Sequence, residues 1–461
     1  MSEQSPGRLW GGRFSAPPSP ELMALSSSIH FDAVLAPYDI LQTIAHVNEL
    51  HSCGYLSDAH HGTLRAALAQ LQEEIATGAW SPADDEDIHS AIERTIIERV
   101  GAEVGGRMRA GRSRNDQVAT DFRLYLLDVS QSVAESALRL IDSLSEQATT
   151  HADSSCPGFT HVQHAQPVTL GHELAKHIHR LHDDLARLSQ WRTRASVSPM
   201  GAGALAGSSL GLDPARIAAE LGFTSVSTNS IDAVSERDFV AEFLFITALL
   251  GTHLSRLGNE IILWTSSEFG WAQLDDAWST GSSLMPQKRN PDIAELARGK
   301  AGRLLGNLTA VMTMLHALPF GYNRDQQEDK EPVFDSVTTL LLLLPAMAGL
   351  VRTLRFDADA MERAASVGYT TATDVAEWLV KKGAPFRDAH EIAGACVRAA
   401  EAAGITLVEL SEETLAAIDP RLTPEVRDVM NPHGALQARS SANGPARVRE
   451  QLTAAAAITA R

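Results

Sequence analysis

Apolar residues recur at three- and four-residue spacing along most of this chain, the period of an amphipathic helix. The spacing runs through Ile40, Ile44, Val47 and Leu50 and again through Leu64, Leu68, Leu71 and Ile75, predicting a pair of short helices after Phe31. From Val118 to Thr150 neither glycine nor proline intervenes, and Leu124, Leu127, Val133, Leu138, Ile141 and Leu144 draw a single stripe. Ser235–Glu268 and Ile293–Leu318 are likewise free of proline. All three exceed the mean globular helix of about 11–12 residues roughly twofold or more. Long striped helices separated by loops predict a bundle, and stripes this wide predict burial on more than one side, which association of subunits would supply. After Arg355 the pattern shortens, broken by Gly368, Gly383, Pro385 and Gly404. The expected fold is therefore all-α, a long-helix bundle followed by a small C-terminal helical domain.

Composition agrees with helix. Aromatics are only 5% of residues, too few for sheets rich in aromatic and β-branched side chains. Charge narrows the partners. With 57 acidic against 39 basic residues the net charge is −18, a surface that repels nucleic acid and anionic lipid. Any anion site must then be a local gathering of cations and backbone N–H groups. Cys53, Cys156 and Cys396 are widely spaced with no CxxC pair, as expected of a reducing cytoplasm. The N-terminus lacks an apolar signal core. The most apolar run, Leu340–Leu344, meets Pro345 well short of the about 20 residues a membrane span needs. A soluble, cytoplasmic protein is expected.

Four polar segments interrupt the helical pattern. Gly281–Asn290 combines a Gly-Ser-Ser turn, Pro286 and the cations Lys288 and Arg289 directly before a long helix. Asn290 suits an N-cap and Pro291 the first helical position, so the helix's unpaired N–H groups and positive end would face the loop and favour an anion. An ordinary connector has the same composition. Thr160–Pro167 carries His161, whose ordinary pKa near neutrality suits acid/base work, although a loop histidine is often inert. Gly111–Gln117 offers guanidinium and amide groups fitted to carboxylates, although a solvated basic turn has the same composition. Tyr322–Lys330 is a polar run between two apolar helices. A metal site is not expected: after His172 and Glu173 the next histidine, His177, lies one residue too far for HExxH, and His179 and His182 share a face without a third ligand nearby.

Together these segments resemble the fumarase/aspartase superfamily. Gly281-Ser282-Ser283-x-Met285-Pro286-x-Lys288-x-Asn290 is similar to that superfamily's mobile-loop motif. Trp10–Phe14, Ser113–Gln117, the Gln166-Pro167 context after His161, and Tyr322 with Gln327 and Lys330 are similar to its argininosuccinate lyase branch. The resemblance spans nearly the whole chain. It implies three mostly helical domains, over residues 1–112, 113–360 (the central long-helix bundle) and 361–461, a homotetramer built on a helical core, with each active site gathered from three subunits, no cofactor, and elimination of fumarate from argininosuccinate to leave arginine.

The resemblance also implies the site. Ser282 and His161 are the expected proton-transfer pair, Glu295 the carboxylate that pairs with the histidine, and Lys288 and Asn290 stabilisers of the doubly charged aci-carboxylate. Ser28, Asn115, Thr160, Tyr322, Gln327 and Lys330 match substrate contacts, and Arg114 and Arg237 join them. The favoured assignment makes ionised Ser282 the base and His161 the acid toward the departing guanidino nitrogen, and the reverse stays open. Arg289 departs from the lysine common in the family. Adenylosuccinate lyase, aspartase and fumarase share the loop, and the fold also serves as a non-catalytic lens crystallin.

Overall fold

The computed structural model describes residues 18–459, so Trp10–Phe14 lies outside the described residues. Five helices dominate: Arg114–Thr150, Leu170–Ala195, Asp238–Thr265, Asp292–Leu315 and Lys330–Thr353. Three coincide with the predicted stripes to within a turn. The first begins four residues before Val118, because the polar turn Arg114–Gln117 is itself helical, with Gln117 N–H donating to the Ser113 carbonyl at 3.2 Å. Two of these elements, Asp238–Thr265 and Arg324–Thr353, are apolar and long enough to cross a membrane by composition alone. Just over half of each apolar window, 56%, is buried within the protein, as in core helices of globular proteins.

Contacts divide the chain into two compact units. The first comprises the chain up to Val133, Arg187–Ala248 and Arg303–Thr338; the second comprises Ala134–Ala186, Leu249–Gly302 and the chain from Thr339 onward. Every cut falls inside one of the five long helices.

In the first unit the predicted pair of short helices appears as Ala36–Ser52 and Asp58–Thr77, packed with Ile88–Val100. Ile40, Val47, Leu50, Leu64, Leu68, Leu71, Ile88 and Ile92 are fully buried between them, each such side chain contributing about 1.5–3 kcal/mol by leaving water. Polar caps set the ends. Ser57 Oγ accepts from His60 N–H at 3.2 Å, Gly78 closes the same helix at φ 71°, and Asp87 accepts from Ser90 N–H at 2.6 Å.

The second unit contains the principal departure from an all-helical expectation. Ser155–Thr160 and Gln163–Thr169 form an antiparallel hairpin where a loop was expected, paired from Ser155 opposite Thr169 to Thr160 opposite Gln163. Its Phe159 ring packs against His164 and Trp271, with centroids 5.1 and 5.9 Å apart. Tertiary burial of these rings overrides a sequence with little strand character. The C-terminal helices are short, as the glycines predict. They close over Val375, Leu379, Ala393, Cys396, Leu415 and Val426, and Gly404 ends Phe386–Ala403 at φ 65°. Mostly helical architecture holds, with three two-stranded sheets as minor elements.

Candidate active site

Seven of the predicted site residues lie in the first unit, and the structure ties four of them, Ser28, Arg114, Arg237 and Lys330, to three acids. Ser28 is buried and donates its hydroxyl to Asp32 at 2.6 Å, while its N–H donates to the Glu86 carbonyl. Burial pushes the Asp32 carboxyl up, partly opposed by His89 and the Ser28 hydroxyl. Next to Glu86, Asp87 pairs with Arg114 Nε at 3.3 Å. Arg114 also donates to Ser90 Oγ at 3.0 Å and to Gln117 Oε1 at 2.9 Å. Its fork is therefore held from three sides while remaining partly exposed. Asn115 donates to the Ala204 carbonyl at 3.0 Å, and Asp116 beside it accepts from the N–H groups of Ser113, Gly201 and Gly203. The loop 199–213 is thus pinned to the start of the long helix.

The Tyr322–Lys330 run is a short 3₁₀ turn, Arg324–Asp329, leading into Lys330–Thr353. Asp329 is fully buried and accepts from Arg237 Nε at 2.7 Å and Lys330 Nζ at 2.8 Å. One carboxylate between two cations leaves net positive charge in a desolvated place, where it attracts an anion strongly. Gln326 is buried and donates to the Ser235 carbonyl, and Ser235 Oγ accepts from Gly321 N–H at 2.6 Å. Both ends of the run are thereby stitched to residues 235–237. Arg324 reaches the Ser26 carbonyl and hydroxyl at 2.6 Å and Glu86 at 3.3 Å, which places the run beside the Ser28 segment. Burial, with Asp329 adding to it, pushes the Tyr322 phenol up, so it stays a proton donor. Gln327 is half-buried with no side-chain hydrogen bond among the described residues. Sequence reading missed Asp32, Asp87, Arg324 and Asp329. Arg324 and Asp329 lay within the polar run Tyr322–Lys330, Asp87 stood as an acid directly before an apolar helix, and Asp32 carried no signal.

The remaining residues lie in the second unit and are differently held. Thr160 and His161 stand exposed at the hairpin tip. The two central turn residues, His161 and Val162, have φ of 55° and 58°, the left-handed pair that a type I′ turn requires and that asparagine and glycine normally supply. A β-branched valine there is strained. Below the tip, His164 Nδ1 lies 3.2 Å from the Val367 carbonyl.

Gly281–Asn290 is an exposed loop closed at its neck, where Thr280 and Asn290 pair through backbone bonds of 2.8 and 3.4 Å. Asn290 Nδ2 donates back to the Gly281 carbonyl at 3.3 Å. The helix therefore starts at Asp292, one residue later than expected, and the first helical bond runs from Glu295 N–H to the Pro291 carbonyl. The neck pairing holds Asn290 extended and diverts its amide from capping. Asp292 and Glu295 occupy the first turn and complement the helix's positive end themselves. Ser282 Oγ accepts from Leu284 N–H at 3.2 Å and Met285 N–H at 3.0 Å. Two donors on one hydroxyl oxygen favour its ionised form. Lys288 is exposed, whereas Arg289 is tied to Asp276 at 2.8 Å and braces the loop base. Glu295 is exposed, and no hydrogen bond or ion pair joins it, His161 or Ser282 to one another among the described residues.

Comparison with known proteins identifies the family. A family model described as Lyase matches residues 12–306, and one described as Argininosuccinate lyase C-terminal matches residues 369–437. The chain is 58% identical to an argininosuccinate lyase of Nocardia farcinica, over 97% of this chain and 95% of that one. It is 56% identical to that of Leifsonia xyli, with the same two shares covered. Among solved structures it is similar to EDDS lyase in complex with formate, at 30% identity and a TM-score of 0.84 over 96% of this chain and 91% of that one. A class II fumarase from Schistosoma mansoni shares the fold at 17% identity, with a TM-score of 0.72 over 87% and 90% of the two chains. The chain belongs to the argininosuccinate lyase family.

Proposed function

We propose that this chain catalyses the reversible β-elimination of argininosuccinate to L-arginine and fumarate. The observation that carries this reading is identity of 56–58% to argininosuccinate lyases along nearly the whole chain, including the C-terminal match specific to that branch.

The reaction needs a base for a weakly acidic C–H beside a carboxylate, stabilisation of the dianionic aci-carboxylate, and an acid for the departing guanidino nitrogen. Ser282 is the proposed base: the N–H groups of Leu284 and Met285 on its Oγ stabilise the alkoxide. Lys288 and Asn290 act on the developing charge, and His161 delivers the proton with Glu295 as its carboxylate partner. Ser28, Arg114, Asn115, Thr160, Arg237, Tyr322, Gln327 and Lys330 hold the substrate. None of these steps calls for a metal or organic cofactor.

The same reading makes the protein a cytoplasmic homotetramer whose sites are shared between subunits, built from domains over residues 1–112, 113–360 and 361–461. Two observations support the association. No hydrogen bond or ion pair joins His161 to Glu295 among the described residues, and Phe245, Leu305, Met312 and Leu342 on the long helices are largely exposed. Leu305 and Met312 lie two turns apart on one helix face, as expected of a stripe awaiting a partner.

The test is to add purified protein to argininosuccinate and follow fumarate by ultraviolet absorbance. Wild type should release fumarate, and Ser282→Ala should lower kcat about 10²–10⁴-fold. No fumarate from wild type would overturn the activity, and undiminished turnover in Ser282→Ala the assigned base.

A further inference from the structure

Beneath Arg114 lies a buried polar cluster that takes no part in the chemistry above. Asp39 and Asp121 are fully buried, and His89 and Gln117 nearly so. Asp39 Oδ2 accepts from Gln117 Nε2 at 2.7 Å and lies 2.5 Å from His89 Nδ1, while Oδ1 accepts from the Thr43 hydroxyl at 3.0 Å. His89 Nδ1 is also 3.4 Å from Asp121. Asp39, His89 and Asp121 thus bring three metal-capable groups together. The Asp39 oxygens are already occupied, however, and the buried Arg112 guanidinium binds Thr43 and Gln42 alongside. The cluster carries its own cation.

What it does is fix a direction. Burial pushes Asp39 up, but the His89 bond and the charges of His89, Arg112 and Arg114 outweigh it and hold the carboxyl below its ordinary range. An ionised carboxylate only accepts hydrogen bonds. Gln117 must therefore turn its NH₂ toward Asp39, and its Oε1 is left facing Arg114 Nη1 at 2.9 Å. Were the amide reversed, an NH₂ would meet a guanidinium and repel it. Gln117 and Asp39 share their unit with Arg114, so the relay is internal to it.

We propose that Asp39 is a positioning residue for substrate binding: through the amide of Gln117 it sets the orientation of the Arg114 guanidinium that receives a substrate carboxylate. The proposal rests on the reading of Arg114 as a substrate contact, which Arg114→Ala tests separately. Asp39→Asn removes the charge that fixes the amide. The double variant Asp39→Asn with Gln117→Glu returns it with the polarity reversed, because the introduced asparagine amide then donates to an introduced carboxylate that still faces Arg114.

The experiment measures fumarate release and thermal melting for the full-length wild type and these variants. Asp39→Asn should raise KM for argininosuccinate about 10-fold, a loss of about 1.4 kcal/mol in binding, with kcat within about twofold of wild type. The double variant should bring KM back to within about threefold of wild type, a rescue that a merely structural role would not produce. Unchanged KM in Asp39→Asn, a fall in kcat without a change in KM, or a double variant no better than the single would each overturn the proposal. If Asp39→Asn does not fold, Gln117→Met removes the acceptor facing Arg114 at similar length, and unchanged KM there overturns it equally. A rise in KM for Arg114→Ala with no rise in the other variants leaves Arg114 a contact and rejects the relay. No rise in Arg114→Ala rejects the contact itself.

Discussion

The residues proposed for substrate recognition in the first unit and those proposed for proton transfer in the second are built in opposite ways. Ser28, Arg237 and Lys330 are buried, and each is bonded to an acid that is itself buried. His161, Lys288 and Glu295 are exposed, and Ser282 is held only by the N–H groups of its own loop. Binding a carboxylate gains from cations already oriented and desolvated, since no reorganisation is then needed. Proton transfer with an entering and leaving substrate gains from groups that can be brought up and withdrawn. The two demands are met by separate stretches of chain.

The largest expected effect separates chemistry from stability. His161→Asn should lower kcat about 10²–10⁴-fold while leaving the melting temperature unchanged, because the side chain is exposed and unbonded. A matching loss of thermal stability would show that the tip is structural and erase the contrast.

A smaller effect belongs to the recognition region alone. Burial raises the Asp116 carboxyl from 3.8 to about 6, against the three N–H groups that lower it. A carboxyl raised on folding contributes stability that is present below its unfolded pKa and lost as pH rises through its folded pKa. Between about pH 4 and 7 this group should therefore withdraw up to about 3 kcal/mol, and Asp116→Asn should flatten that part of the melting profile. An equal pH slope in both proteins would contradict it.

The smallest effect lies at the hairpin tip. Val162→Asn places a residue tolerant of the left-handed region where valine is strained, and should stabilise the hairpin by about 1 kcal/mol. Calorimetry showing a lower melting temperature would mean that Val162 makes contacts worth more than its strain.

Helical periodicity made three of the five long helices legible to about a turn, since a long proline-free apolar stripe has few other ways to bury itself. The hairpin was not legible. Cys156, Phe159 and Val168 become strand residues only through packing against distant rings such as Trp271, 112 positions after Phe159 in sequence order. Of the site, the residues in compact motifs such as Ser113–Gln117 and Gly281–Asn290 could be named from sequence. Asp32 and Asp329 could not, because an acid's role as the buried partner of a cation depends on tertiary neighbours. The start of the helix after Asn290 moved by one residue for a similar reason: Thr280, ten residues earlier, takes hold of it.

The pairing of Arg114 with Asp87 and of Arg237 and Lys330 with Asp329 has a kinetic consequence. The first pair is neutral and the second group keeps a single positive charge that is buried, so at a distance the protein presents its net charge of −18. A net-anionic substrate is repelled at long range in low salt, whereas in physiological salt that repulsion is largely screened beyond a Debye length of about 8 Å. Encounter is then governed by capture at short range rather than by steering, and salt speeds the approach by screening the repulsion.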